Sequence, residues 1–413
     1  MQNRQTEKAR TTRSFWRRLR LEASLWTPAL IAMAVSTFLQ RFGMGILDGA
    51  RTNYFVNALG LSGDQVLWLE GIREIPGLAL MFIAALTMHL ALSHRAAVAV
   101  LIMGLGYGLY ALVGSYGALL AVAVFASLGM HMWMPLHKSL AMSLSPKEKA
   151  GSVMGTLNGV GSLAGIVGMG ILALIANVLP DVALELYYIV GALLIMIAGL
   201  FLFRVPSDVG TTKTAPPRML IKGRYWLYYV LTFFQGSRKQ VLHTFGMLVL
   251  VGNFDLEVWQ ISAILAVSSV VNLVGAPYLG RLLDRFGERK MLSISYSVLM
   301  LCCVGFATIH TVWVLVALLL VIKLFVTLGI ALSTYVYRIA PQEELTPTLS
   351  AGVSINHVTS VGMPLVAGAL LPMIGYEGIF LGAAGLILIS IPFLMAMKVK
   401  SEPRRQPVPV SAE

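Results

Sequence analysis

Long apolar runs follow one another almost without interruption from residue 27 to residue 398. A bilayer core about 30 Å thick is crossed by about 20 mostly apolar residues in a helix. Twelve such runs can be drawn, at 27–58, 65–92, 96–115, 118–144, 149–178, 183–204, 225–252, 257–283, 290–309, 312–340, 348–374 and 377–398. In lipid every backbone N–H and C=O must be satisfied within its own segment or a closed barrel. A barrel would show short alternating strands separated by turn residues, and this sequence does not. The expected fold is therefore an all-α membrane protein of twelve transmembrane helices. The charge content agrees: 12% of residues are charged and 57% hydrophobic, against about 25% charged in a soluble domain.

A net charge of +12 invites a nucleic-acid reading, but the cations sit between the apolar runs. Lys8, Arg10, Arg13, Arg17, Arg18 and Arg20 precede the first run. Arg95, Lys147, Lys149, Arg204, Lys213, Arg218, Lys222, Arg224, Arg281, Arg285, Arg289 and Lys290 fall in or beside every second connection, and Lys398, Lys400, Arg404 and Arg405 follow the last run. The other connections carry Asp64, Asp181, Asp255 and Glu377. Positive loops stay in the cytoplasm, so both termini are expected there and the number of crossings is even. The basic N-terminus leads into a long run without a small-residue cleavage pattern, which suggests a retained helix. A plasma (inner) membrane location and a functional monomer are expected, with lipid as the solvent and no nucleic-acid partner. Cys302 and Cys303 are adjacent and can staple nothing distant.

A repeat runs through the chain. Thr37-Phe38-Leu39-Gln40 matches Thr232-Phe233-Phe234-Gln235 at an offset of 195, which also pairs Gln65 with Gln260, Asp48 with His243, Arg95 with Lys290 and Pro146 with Pro341. Beyond Pro341 the offset becomes 198 and pairs Asn158 with Asn356, Ser162 with Ser360 and Gly170 with Gly368. The expected organisation is a basic segment (1–26), a first six-helix bundle (27–204), a linker rich in Pro, Gly and Thr (205–223), a second bundle (224–398) and a tail (399–413). Parallel halves of this kind leave a central cavity near the bilayer midplane.

The run Gly280-Arg281-Leu282-Leu283-Asp284-Arg285-Phe286-Gly287-Glu288-Arg289-Lys290 resembles the loop signature of the major facilitator superfamily, between the second and third helices of a half. That resemblance implies two six-helix bundles, alternating access and a gating role for Gly280, Asp284, Arg285, Gly287, Arg289 and Lys290. The first half departs from it, with Ala85, His89, Leu92, His94 and Arg95 at the corresponding positions. Two patterns of proton-coupled drug exporters in the family are incomplete. Phe125 stands where an Arg would precede Gly129, and Gly161, Gly165, Gly168 and Gly170 lack a closing proline.

Ionisable residues inside a span are costly, about 2.5–3.5 kcal/mol on insertion scales, and are functional candidates by default. Arg41, Met44, Asp48 and Arg51 share one helical face in the first run. Glu70, Arg73 and Glu74 lie one turn apart in the second, within reach of Asp48 and Arg51. Gln235 and Arg238 are a turn apart in the seventh, beside Lys239 and His243. Lys323 lies near the middle of the tenth, where it is expected to meet substrate, Asp48 or a backbone carbonyl. Arg338 and Lys138 lie nearer helix ends and are expected to snorkel or latch.

The cations outnumber the anions, and an electropositive cavity concentrates anions. Arg offers a planar fork for carboxylate or phosphate. A small organic anion is the leading expected substrate, with Gln40, Arg41, Asp48, Arg51, Asn158, Gln235, Arg238, Lys239, His243, Lys323 and Asn356 as candidate binding residues. Asp48 and His243, at repeat-related positions, are candidate proton carriers. His131 and His137 share the run 118–144, and His243 and His357 lie on two others, with no Cys and no His pair at i, i+4, so no metal site is expected. Gly151, Gly155 and Gly159 read as a helix-packing face. No nucleophile with its base and no cofactor loop stands out, so neither an enzyme nor a cofactor is expected. An exporter of drugs or hydrophobic metabolites is the alternative, ahead of a metal transporter or a non-transporting receptor.

Overall fold

The structure is a computed structural model that describes residues 26–87, 89–146, 149–210, 221–239 and 241–397. The basic residues from Lys8 to Arg20, together with Lys147, Lys213, Arg218, Lys398, Lys400, Arg404 and Arg405, lie outside the described residues. Nine helices among the described residues are long and apolar enough to cross a membrane. The expected runs missing from that count are the broken or fused ones.

The first run is α1 (Pro28–Asn53), extended by a π-helical turn over Tyr54–Ala58. It starts where Thr27 accepts the Leu30 amide and Pro28 takes the first position, which needs no donor. The second run is split into α2 (Gly63–Ile72) and α3 (Ile75–Thr87). Pro76 has no N–H to continue the ladder at this point. Then come α4 (Leu92–Leu109), α5 (Tyr116–Ser143), α6 (Ala150–Val178) and α7 (Leu184–Leu202).

The seventh run is also split, into α8 (Trp226–Ser237), a π turn over Val241–Phe245 and α9 (Gly246–Gly252). The second half continues with α10 (Val258–Phe286), α11 (Glu288–Thr308), α12 (Val312–Phe325), a 3-10 turn over Val326–Gly329 and α13 (Ile330–Ile339). The last two runs, together α14 (Gln342–Met395), are two helices joined across a kink. Gly375 divides them at φ 66°, a left-handed conformation that favours glycine, between the expected runs 348–374 and 377–398.

The repeat has a local physical basis. Gln65 and Gln260 are the third residues of capping boxes that begin α2 and α10, and their side chains accept the Ser62 and Glu257 amides at 3.1 and 2.8 Å.

Lipid tails provide no hydrophobic force between helices, so close packing and small residues must hold them together. In the first half α1 packs on α6 and α7, and α4 packs on α5 and α7. A Cβ at Gly45 would collide with the Gly165 carbonyl, one at Gly168 with the Phe42 carbonyl, and one at Gly129 with the backbone of Ala99 and Met103. The expected packing face at Gly151, Gly155 and Gly159 is not used, since each faces open space. The face of α6 that packs on α1 is a different one and carries Gly161, Gly165 and Gly168.

In the second half α14 packs on α8 and α11, and the halves meet along α2 with α14 and α6 with α10. The first residues of the expected linker fold onto the first half. Val205 is buried, and the Pro206 carbonyl accepts the Ser93 hydroxyl.

Candidate functional site

The two halves are joined on the side away from the linker. Asn53 Nδ2 donates to the Leu256 carbonyl at 2.8 Å, Trp68 Nε1 donates to the Leu365 carbonyl at 3.2 Å, and Gly49 sits against Ser262. Nearer the middle and the linker side a cavity of about 830 Å³ opens between α1, α5, α6 and α10. Gln40, Arg41, Asp48, Lys138, Asn158 and Asn272 supply its polar wall, and Met44, Trp133, Met134 and Leu157 are among its apolar residues. A second cavity of about 230 Å³ lies in the other half, lined by Gln235, Arg238, Lys239, His243, Tyr296 and Asn356 among others.

Repeat-related residues therefore line separate walls: Gln40, Asp48 and Asn158 in one cavity, Gln235, His243 and Asn356 in the other. Arg51 and Lys323 line neither. Arg51 holds Asp48 at 3.5 Å, one turn away on α1. Lys323 Nζ donates to the His243 carbonyl at 2.9 Å, as expected of a backbone partner. The accepting carbonyl lies in the π turn over Val241–Phe245.

The outer cluster is arranged differently from the expectation. Glu70 and Arg73 pair with each other at 2.7 Å rather than with Asp48 and Arg51. Their spacing of three residues on one helix makes the local partner nearer than the neighbouring helix. Glu74, released from the ladder by the α2–α3 break, reaches across to the second half. Lys239 Nζ lies 3.2 Å from its carboxylate and His357 Nδ1 lies 3.3 Å from it. His131 Nε2 of α5 approaches the same oxygen to 3.7 Å.

Sequence spacing concealed this last grouping. Glu74 comes from the α2–α3 turn, His131 from α5 and His357 from α14, and their ligand atoms lie within 4.8 Å of one another. The only advance signal was that each is an ionisable residue within a span.

Arg238 is a cation with little compensation. It is 4% exposed, its guanidinium lies 3.8 Å over the Tyr296 ring, and its Nη1 has no hydrogen-bond partner among the described residues. A cation over an aromatic face gains about 0.5–2 kcal/mol, which offsets only part of the cost of burying a charge without a counterion.

At the linker side Gly287, φ 82°, makes the turn between α10 and α11. Asp284 is exposed and has no ion pair among the described residues. Arg285 and Lys290 lie over Phe286, and Arg281 lies over Tyr278. Arg289 is exposed and Gly280 faces open space. The buried acid of this segment is Glu288, which pairs with Arg338 at 2.6 Å and ties the start of α11 to α13. Its importance was hidden by its place in a run of charges.

Two matches to the Major Facilitator Superfamily, over residues 33–250 and 229–413, take in both halves in turn. The chain belongs to the major facilitator superfamily and is a multi-pass membrane transporter. The multidrug resistance protein MdtG of Salmonella paratyphi A is 24% identical over 272 residues, 62% of this chain and 66% of MdtG, so the match spans just under two thirds of that protein. The nucleoside transporter NupG superposes with a TM-score of 0.71 at 17% identity, over 90% of this chain and 99% of NupG. A bacterial homologue of the human lysosomal transporter Spinster, inward-facing and unoccupied, gives 0.69 at 14% identity, over 91% of this chain and 96% of that one.

Proposed function

We propose that the protein carries a small organic anion across the membrane by alternating access. The observation that carries this reading is Arg238, a buried guanidinium with a free donor in the wall of a cavity, backed by Lys239, Gln235 and Asn356. A carboxylate or phosphate placed there supplies the missing countercharge and accepts from a planar fork of donors. Arg41, exposed into the larger cavity, attracts the same charge along the entry path.

The linker side carries Arg95, Lys149, Arg204, Lys222, Arg281 and Arg289 and is read as cytoplasmic. On that reading both termini are cytoplasmic, the membrane is the inner membrane, and the larger cavity faces inward while the outer side is closed.

Export of drugs or hydrophobic metabolites is the second reading. It is favoured by Met44, Trp133, Met134 and Leu157 in the wall of the larger cavity and by the likeness to MdtG.

The deciding experiment is thermal stabilisation of the detergent-purified protein by carboxylates, phosphate esters, nucleosides and cationic drugs, since a ligand that binds the folded state raises its melting point. Anions alone are expected to stabilise it, and liposome flux of the stabilising anion should follow. Stabilisation by cationic drugs and not by anions would replace this reading with the exporter.

A further inference from the structure

We infer that Glu74, His131 and His357 form a binding site for a divalent transition-metal ion, with ligands drawn from both halves of the transporter. This goes beyond anion transport and does not depend on it.

The hydrogen bonds of His131 set its tautomer. The Ser127 hydroxyl donates to the Arg73 carbonyl, so its proton is committed. His131 Nδ1 lies 2.8 Å from the Ser127 carbonyl and 3.0 Å from the Ser127 hydroxyl oxygen, both of which must then accept. Nδ1 therefore carries a ring proton, and Nε2 is the atom turned toward Glu74, 3.7 Å away. Ligating imidazoles are typically held in this way, with the far ring N–H donated to a carbonyl.

His357 supplies the second lone-pair donor. Its Nδ1 is buried, lies 3.3 Å from Glu74 Oε2 and makes no hydrogen bond among the described residues. The two rings meet edge to face at 5.2 Å between centroids. Gly77 leaves the room they need, since a Cβ there would fall 2.5 Å from His357 Nδ1 and 3.0 Å from His131 Cδ2.

Two imidazoles and a carboxylate suit zinc and its neighbours, which bind such donors at about 2.0–2.2 Å. Tetrahedral ligands at that bond length stand a little over 3 Å apart, close to the 3.3 and 3.7 Å seen here. Lys239 is the built-in competitor. Its ammonium touches the Glu74 carboxylate but its side chain is 33% exposed, so it can withdraw when an ion enters. Glu74 and His131 belong to the first half and His357 to the second, so a bound ion pins the halves together on the side away from the linker.

The test uses the full chain in detergent, stripped with EDTA and titrated with Zn2+ by calorimetry and with Co2+ by visible absorption. The wild type is expected to bind one ion per chain and to give the intense bands of four-coordinate Co2+. His131→Gln and His357→Gln should each weaken binding at least tenfold and lose those bands, while Lys239→Gln should bind more tightly. Melting curves without metal, unchanged in the two histidine variants, show that they are folded. Absence of saturable binding by the wild type overturns the assignment. Wild-type affinity in both histidine variants does so too, because the ion then sits on exposed His89, His94 or His310.

Discussion

The two halves share a repeat but handle some of their charges within the spans in opposite ways, although Glu288 and Glu74 are paired as well. In the first half charges are neutralised locally, Asp48 by Arg51 and Glu70 by Arg73, each at three residues' spacing on one helix. In the second half Arg238 leans on Tyr296, and Lys323 leans on the carbonyl of His243. The backbone differs in step. Around Asp48 α1 is an unbroken helix, whereas around His243 the equivalent helix is interrupted by a π turn. Under the proposed function, the uncompensated Arg238 is the charge held for a ligand. On that proposal the first half is the scaffold and the second carries the binding wall.

The largest effect should come from breaking a local pair. Glu70→Leu leaves Arg73 buried without its partner, and removing one member of a buried pair costs about 3–5 kcal/mol. A clear drop in detergent melting temperature is expected; an unchanged melting point would mean that the first half does not depend on its pairs. Arg238→Ala should do the reverse, leaving melting little changed while weakening anion binding at least tenfold. If Arg41→Ala removes anion binding and Arg238→Ala does not, the binding wall belongs to the first half and the comparison inverts.

How much of this was legible in the sequence follows from the range of each interaction. The boundaries of α1, α5 and α10 follow from Pro28, Ser115 and the Glu257–Gln260 box, because caps act over three or four residues. Gln235, Arg238, Lys239, His243 and Asn356 were foreseen as candidates by span position and charge, and they line one cavity. The joining of Glu74 to His131 and His357 could not be read, because it depends on how the α2–α3 turn packs against α5 and α14. Nor could the pairing of Glu288 with Arg338, 50 residues away in the chain. Glycine spacing misled at Gly151, Gly155 and Gly159, since a periodic stripe says that a face is smooth but not that anything lies against it.

A third measurement probes the repeat itself. If the equivalent positions Asp48 and His243 carry the coupled proton, Asp48→Asn should abolish substrate-driven proton flux in liposomes while counterflow persists; retained flux removes Asp48 from that role. The smallest effect concerns the entry to the second half, where Lys222, Arg224 and Tyr225 converge on Glu344. Their hydrogen bonds and charge hold the Glu344 carboxyl down from its ordinary 4.5 to about 2. A depressed carboxylate stabilises above its unfolded value and loses that contribution as pH falls through the folded one. A small loss of melting temperature is therefore expected between about pH 4.5 and 2 in the wild type, and it should be absent in Glu344→Gln.

The backbone-to-backbone contacts of Gly45 with Gly165 and of Gly168 with Phe42 leave no compressible layer between α1 and α6. A push on Asp48 or Asn158 at the cavity wall cannot be absorbed by side chains sliding past one another there. The two helices are expected to move as one body, so that such a push bears on the rim where Asn53 meets Leu256.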